Sequence, residues 1–176
     1  AVCRYFDAKG ATIWIGDSSG ALLFGGTRNA FTVSGIEKVA KKWGAKTLYF
    51  ETEKVVTRKI DGQVLKEVSI ALPVLSADIV VNLPKLKTHR FTKYTCAIKN
   101  LYGCVPGSRK RDYHGQAVDV RRFGKLLIDL YKQIRVDYTL VDGIVGMEGN
   151  GPTAGGLKQA NLIIGSDNCV AADLVA

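Results

Sequence analysis

Ile79-Val80-Val81-Asn82-Leu83-Pro84-Lys85-Leu86-Lys87-Thr88-His89-Arg90 is the stretch of this 176-residue chain that decides its fold. Ile79 to Leu83 is β-branched and apolar with little alternation, which predicts a strand buried on both faces, and Pro84, with no amide hydrogen to donate, ends it. Strands of that kind belong to sheets covered by helices, so the stretch points to an α/β fold in which polar residues follow directly on a strand end. Upstream, Thr12 to Ile15 reads as a strand breaking into Gly16-Asp17-Ser18-Ser19-Gly20, and Lys46 to Phe50 reads as another. Between them Ile36, Val39, Ala40 and Trp43 fall at helical spacing, with Lys38, Lys41 and Lys42 outside and Gly44 as the stop. Val55 to Ile60 and Gln63 to Val68 flank Asp61-Gly62, a dipeptide suited to a type I′ turn, and predict an added hairpin over 55–68. Ile70 to Leu75 predicts a short helix, limited by Pro73 to a first turn.

Downstream, Tyr94 to Tyr102 predicts a helix closed by Gly103. Phe123 to Ile134 predicts an amphipathic one on Phe123, Leu126, Leu127, Leu130 and Ile134. Tyr138 to Val141 reads as a strand, Gly143 to Gly156 as a long glycine-rich loop and Leu162 to Ile164 as a further strand, with Asp167 capping a last helix from Cys169. The expectation is an α/β fold with a largely parallel sheet, flanking helices and an added β-hairpin, in one domain over 1–176. In such sheets ligands gather beyond the carboxyl ends of the strands. The residues that follow the strands are Asp17 and Ser18, Glu51, Lys85 to Arg90, Asp142, and Ser166 with Asp167; parallel strands bring them to one edge.

Charge points to the same place. The net charge is +9, but from Asn82 to Arg135 thirteen Lys and Arg stand against three acids, while the rest of the chain holds twelve against thirteen. A local cationic excess is a footprint for an anion, whether phosphate, carboxylate or nucleic acid; a solvated cationic face is the alternative. No apolar run approaches the ~18 residues of a membrane span, and the start lacks a signal-peptide layout. Without an initiator Met, the chain is expected to be a piece of a longer protein. Cys3, Cys96, Cys104 and Cys169 are scattered with no CxxC pair, which excludes a zinc ribbon contained in this chain and favours a reducing, cytoplasmic setting.

Within the basic block, Lys85 and Lys87 project to one side of an extended segment, and His89 and His114 each lie in a cationic stretch, Ser108 to His114 being read as a loop. Both histidines are candidate anion donors or acid–base groups, or else solvent-exposed imidazoles beside like charges. Lys99-Asn100 ends a helix and is a candidate ligand-binding pair, with a snorkelling lysine as the alternative. Cys104 reads as a structural or incidental thiol. The loop from Asp142 to Gly156 is no P-loop, since Leu157-Lys158 replaces the required Lys then Ser or Thr. Asp142 and Glu148 are candidates for acid–base work or for holding a divalent metal, or else a turn cap and an ion-pair partner. Asn150 joins the ligand-binding set with Asp17, Ser18, Lys85, Lys87, Lys99, Asn100 and His114, while His89, Asp142 and Glu148 are the catalytic candidates.

Ala77 to His89, Ala97 to Gly107, Val141-Asp142-Gly143-Ile144 and Met147-Glu148-Gly149-Asn150-Gly151-Pro152 together resemble the domain-of-unknown-function family 362. Ile15 to Gly20, and Ser166-Asp167 with Val170, Ala171 and Asp173, are similar to its flanking segments, with Ser19 where a proline is expected. The resemblance implies a bacterial or archaeal protein associated with iron–sulfur chemistry through a ferredoxin-like module whose cysteine run is absent here. It implies a role as the substrate half of an iron–sulfur-linked oxidoreductase, and supplies no reaction. Its motifs include Lys85, Lys87, His89, Lys99, Asn100, Asp142, Glu148 and Asn150. The leading expectation is therefore a strand-end crevice that binds an anionic small molecule. The rivals are a nucleic-acid-binding module, with Tyr94, Tyr102, Tyr113 and Phe123 as stacking groups, and a non-catalytic assembly domain.

Overall fold

In the computed structural model, which describes residues 1–20, 26–117 and 119–176, the elements follow one another as α1 (Val2–Asp7), β1 (Trp14–Asp17), α2 (Gly26–Val33), α3 (Ile36–Lys42), β2 (Lys46–Tyr49), β3 (Val55–Lys59), β4 (Glu67–Ala71), α4 (Leu72–Ser76), β5 (Val81–Asn82), β6 (Lys85–His89), β7 (Lys93–Thr95), α5 (Ala97–Asn100), a 3₁₀ turn (Leu101–Cys104), α6 (Gly107–Gln116), α7 (Val120–Tyr131), β8 (Tyr138–Glu148), β9 (Gly156–Ser166) and α8 (Cys169–Val175). The fold is α/β. Among the described residues no helix is long and apolar enough to cross a membrane.

β8 organises the largest sheet. β5 and β6 lie beside it in parallel, with Val81 opposite Tyr138 and Lys85 opposite Asp142, and β9 pairs with it antiparallel from Thr139↔Ser166 to Glu148↔Gly156. β7 closes back on β6 antiparallel, β1 and β2 form a parallel pair, and β3 and β4 an antiparallel one. Parallel and antiparallel pairings thus mix, and the expected largely parallel sheet is corrected to a mixed one. The cause is the segment read as a glycine-rich loop: Gly143 to Glu148 continues β8, and Gly156 begins β9. Glycine is depleted in strands, yet here it answers close approach, since a Cβ on Gly143 would lie 2.5 Å from Leu162.

The hairpin is present, with a longer connection than a two-residue turn: Lys59 pairs with Glu67, so seven residues intervene. Asp129 on α7 sets that loop, its carboxylate accepting from the backbone N–H of Gln63, Val64 and Leu65 at 2.7–3.0 Å. A long-range buried carboxylate, invisible to local pattern, therefore overrides the Asp61-Gly62 turn preference.

Other boundaries move for similar reasons. The strand read at Ile79 to Leu83 shrinks to β5, with Ile79 55% and Leu83 51% exposed. Lys85 to His89 is a strand, Lys93–Thr95 precedes a short α5, and the cationic stretch at Ser108 to His114 lies inside α6. Asn168, not Asp167, caps α8, accepting from the N–H of Val170 and Ala171. The main core gathers Val68 and Ile70 of β4, Phe123, Leu126, Leu127 and Leu130 of α7, and Val141 of β8, each fully or nearly buried. The helical spacing read from Phe123 to Ile134 is the face that meets it.

Candidate functional site

β1 and β2 end side by side in a two-stranded sheet of their own, and Lys87 of β6, in the larger sheet, lies within electrostatic reach of Asp17 at the end of β1. Asp17 and Ser18 close β1, Glu51 lies just past β2, and Lys87 and His89 lie on β6. α5 adds Lys99, and α6 adds Lys110 and His114, four residues apart and so on one helix face. Charge couples Asp17 to Lys110, Glu51 and Lys87, Lys99 to Lys87 and Lys110, and His89 to Lys99, Lys87 and His114.

Asp17, Ser18 and Lys110 have identifiable partners. The Ser18 backbone N–H donates to Asp17 Oδ1 at 2.7 Å, Ser18 Oγ accepts from Gly107 N–H at 3.2 Å at the start of α6, and Lys110 Nζ donates to Ser18 O. Gly103 makes room for Asp17: a Cβ there would overlap Asp17 Oδ1. α5 is pinned at its start by Asp173 of α8, which accepts from the N–H of Ala97 at 2.6 Å and of Ile98 at 3.1 Å. Asn100 Nδ2 donates to Asn82 Oδ1 at 2.8 Å while Asn82 Nδ2 donates to Ala97 O at 2.9 Å, so both asparagines fasten α5 to β5. His114 stacks on buried Phe123 with centroids 4.6 Å apart and meets Tyr102 edge-on at 5.4 Å.

The electrostatics divide the site in two. Burial raises the Asp17 carboxyl above its ordinary range, against the lowering by Lys110, the Ser18 N–H and Lys87, and nearby Glu51 adds to the rise. Glu51 Oε2 is buried without a hydrogen-bond partner. On the other side burial, then Lys87 and Lys110, lowers Lys99 to about 8, and burial, then Lys99, Lys87 and His114, lowers His89 to about 4. Burial and Lys99 lower His114 as well, and burial outweighs Asp17, Cys104 and Glu51 in lowering Lys110.

His89 Nδ1 also accepts from the backbone N–H of Phe91 at 3.2 Å and of Thr92 at 3.3 Å. An acceptor at Nδ1 leaves the proton of the neutral ring on Nε2, so the imidazole is a neutral Nε2–H donor at pH 7. The sign of its linkage follows. A folded pKa near 4 against an ordinary 6.5 means that the unfolded chain binds more protons in that window, so stability is full above pH 6.5 and falls as pH drops toward 4. Denaturant unfolding at pH 7 and pH 4.5 is expected to show that loss, with His89→Gln flattening it; an equal slope in the variant would assign the effect to other groups.

The remaining sequence candidates lie outside the cluster. Lys85 Nζ pairs with Asp142 Oδ2 at 2.9 Å and Lys158 Nζ with Glu148 Oε2 at 3.4 Å, all four side chains being about half exposed or more. A register shift opposite Lys85 and Lys87 lies in β8, which advances from Asp142 to Met147 while β6 advances two residues. Asp142 is no strand end, because β8 runs on to Glu148, and Ser166 pairs with Thr139 at the start of β8 because β9 is antiparallel. Asn150 is exposed in the turn that joins β8 to β9, whose Gly151 O accepts from Arg90 N–H beside the end of β6. Lys110 and Glu51 enter the cluster though absent from the candidate set. Reading Gly107 to Gln116 as a helix would have put Lys110 beside His114.

The described residues hold no group of three or more His, Cys, Asp or Glu able to surround a metal ion. Asp142 and Glu148 each face a lysine, which does not fit a shared divalent metal. Burial, then Asp173, raises the Cys96 thiol to about 12, and burial, then Asp17, raises Cys104 to about 12, so both are protonated thiols at neutral pH.

The family model for a domain of unknown function, DUF362, matches residues 1–176. A thylakoid-associated protein of Synechocystis sp. is 32% identical over 176 residues, covering 99% of this chain and 53% of the relative. The chain thus spans about half the length of the curated relative it matches. No solved structure matches. With the model covering the chain from end to end, the protein belongs to the domain-of-unknown-function family DUF362.

Proposed function

We propose that the basic cluster contributed by β6, α5 and α6 binds an anionic small molecule bearing a phosphate or carboxylate, contacted by Lys87, Lys99, the Nε2–H of His89 and His114. The observation that carries this reading is the gathering of partly buried basic groups that also repel one another: burial, then Lys87 and Lys110, lowers Lys99, and burial, then Lys99, Lys87 and His114, lowers His89. An anion among them relieves that repulsion, and in a partly desolvated site each charge-assisted contact is stronger than in water. Asp17 and Glu51 on the acidic side favour a ligand whose other end donates hydrogen bonds. Lys85, Asp142, Glu148 and Asn150 lie outside this binding set.

Under the same reading, electrons for any redox step come from an iron–sulfur module elsewhere in a longer protein, and this chain is the substrate half. The relative's thylakoid association leaves two locations for that protein, cytoplasmic or at a membrane surface, which fractionation of the native protein separates. Nucleic-acid binding is less well supported, because of the four stacking candidates Tyr102, Tyr113 and Phe123 are buried in the core and only Tyr94 is exposed, its hydroxyl donating to Asp173 O.

Thermal melts test the anion site. With a Kd on the order of 1 mM, 10 mM inorganic phosphate stabilises by about 1.4 kcal/mol, raising Tm by about 3–6 °C over an equal ionic strength of chloride. Loss of the rise in Lys87→Met/Lys99→Met supports the site; equal melts in phosphate and chloride overturn it.

A further inference from the structure

The largest sheet is covered on one side only. Residues directly opposite one another across its strands share a face, and the two faces differ. Asn82, Thr139 and Val141 are buried against the helices, Asn82 bonding Ala97 O and Thr139 the thiol of Cys169. On the other face Val81 lies opposite Tyr138, and Asp142 lies between Lys85 and Ile163. There Tyr138, Ile163 and Ile144, two residues past Asp142, are 45–59% exposed, and Ile79 and Leu83, two residues either side of Val81, are equally open. The outward positions of Ile79 to Leu83 and of Leu162 to Ile164 are apolar where a strand that faces water is polar, so their sequence is that of strands covered on both faces.

Five large apolar side chains, each about half exposed, present on the order of 500 Å². That is near the largest patch a monomer carries, and at the roughly 60% apolar share of ordinary interfaces it belongs to about 800 Å², what one partner contributes to a standard-size contact. Charge names the partner. The chain carries +9, but in the middle of this face stand one cation and one anion, Lys85 Nζ and Asp142 Oδ2, 2.9 Å apart and both about half exposed. A surface offering one charge of each sign side by side matches its own copy turned through a twofold axis, where every contact occurs twice. We infer that this face is the interface of a twofold dimer of the chain, its apolar side chains packing across the axis and each Lys85 reaching the partner's Asp142. The inference is independent of the anion site, to which neither residue belongs.

Sedimentation velocity on the chain, run up to about 100 μM, tests it, with dimerisation expected at a Kd on the order of 10 μM or tighter. Tyr138→Glu is expected to weaken the dimer at least about tenfold by carrying a carboxylate into its apolar part. Lys85→Glu alone sets like charges against each other at both twofold contacts, as does Asp142→Lys alone, and each is expected to weaken it by a similar factor. All three positions are exposed, so the variants keep the fold, which thermal melts check. An equal mixture of Lys85→Glu and Asp142→Lys chains brings opposite charges together at both contacts and is expected to recover dimers as strong as the wild type's, a result that unspecific sticking does not give. A wild-type chain that stays monomeric at about 100 μM overturns the inference, as does a dimer that Tyr138→Glu leaves intact or a mixture no more dimeric than either variant by itself.

Discussion

Asp129→Ala is expected to remove about 4 kcal/mol of stability, because it strands three backbone N–H groups that now share one carboxylate, and each orphaned buried donor costs about 1–3 kcal/mol. Asp129 is 3% exposed, and its oxygens bind Gln63, Val64 and Leu65 across more than sixty residues of sequence. The two valence-matched oxygens leave little room for rearrangement, since Gly62 already abuts the carboxylate so closely that a Cβ there would lie 2.6 Å from Asp129 Oδ2. Urea unfolding would show a midpoint shift at unchanged m-value, and Asp129→Asn, which keeps one acceptor oxygen, should fall between the two. The three donated hydrogen bonds outweigh burial and hold the carboxyl below its ordinary range, so its contribution is present at neutral pH and is lost as pH falls through the folded value. A loss below ~1 kcal/mol in the alanine variant would show that the loop is held by something other than this carboxylate.

Phe123→Ala is the second large effect, expected at about 3–5 kcal/mol for emptying a fully buried aromatic site. Its interest is functional. Phe123 is 0% exposed and sits under His114 at 4.6 Å, with Tyr102 at 5.5 Å and Phe91 at 5.3 Å around it, so the ring is at once the centre of the α7 packing and the floor on which an imidazole of the candidate site rests. Phe123→Leu keeps much of the volume and loses the flat face, and is expected to cost less stability while freeing His114. An imidazole resonance of His114 that titrates closer to 6.5 in the leucine variant, read by NMR, checks this; an unchanged titration would mean that α6 alone fixes the ring.

The residues that carried the reading of the fold were those whose pattern is local. The apolar stripe of α7, the strand at Lys46, the first strand of the hairpin and the polar breaks after β1 and β2 are each set by a handful of neighbours, and each is where the sequence places it, whereas the hairpin's second strand lies later, at Glu67–Ala71. What escaped was set from a distance. Gly143 to Glu148 looked like a loop because its glycines lack strand propensity, but they are the price of close contact with β9 and β6, which sequence spacing does not show. A strand ending at Val141 would have put Asp142 at the crevice edge, whereas the longer β8 leaves it paired with Lys85 at the surface. α6 escaped because it is too polar for its apolar stripe to show, only Lys110 and Tyr113 being buried in it, and with it went Lys110. Conversely Asp17 at the end of β1 is coupled electrostatically to Lys87, and His89 to Lys87, Lys99 and His114, although these groups come from two sheets and two helices.

The central claim is that these groups form one anion site. Isothermal titration of inorganic phosphate into the protein at pH 7 in 150 mM NaCl tests it most directly. The account predicts saturable binding near one phosphate per chain, weakened at least about tenfold in Lys87→Met/Lys99→Met, a loss of about 1.4 kcal/mol or more, and weakened in the wild type as pH rises past 8 and Lys99 loses its proton. Heat that never saturates, or binding that the double variant keeps, would contradict it.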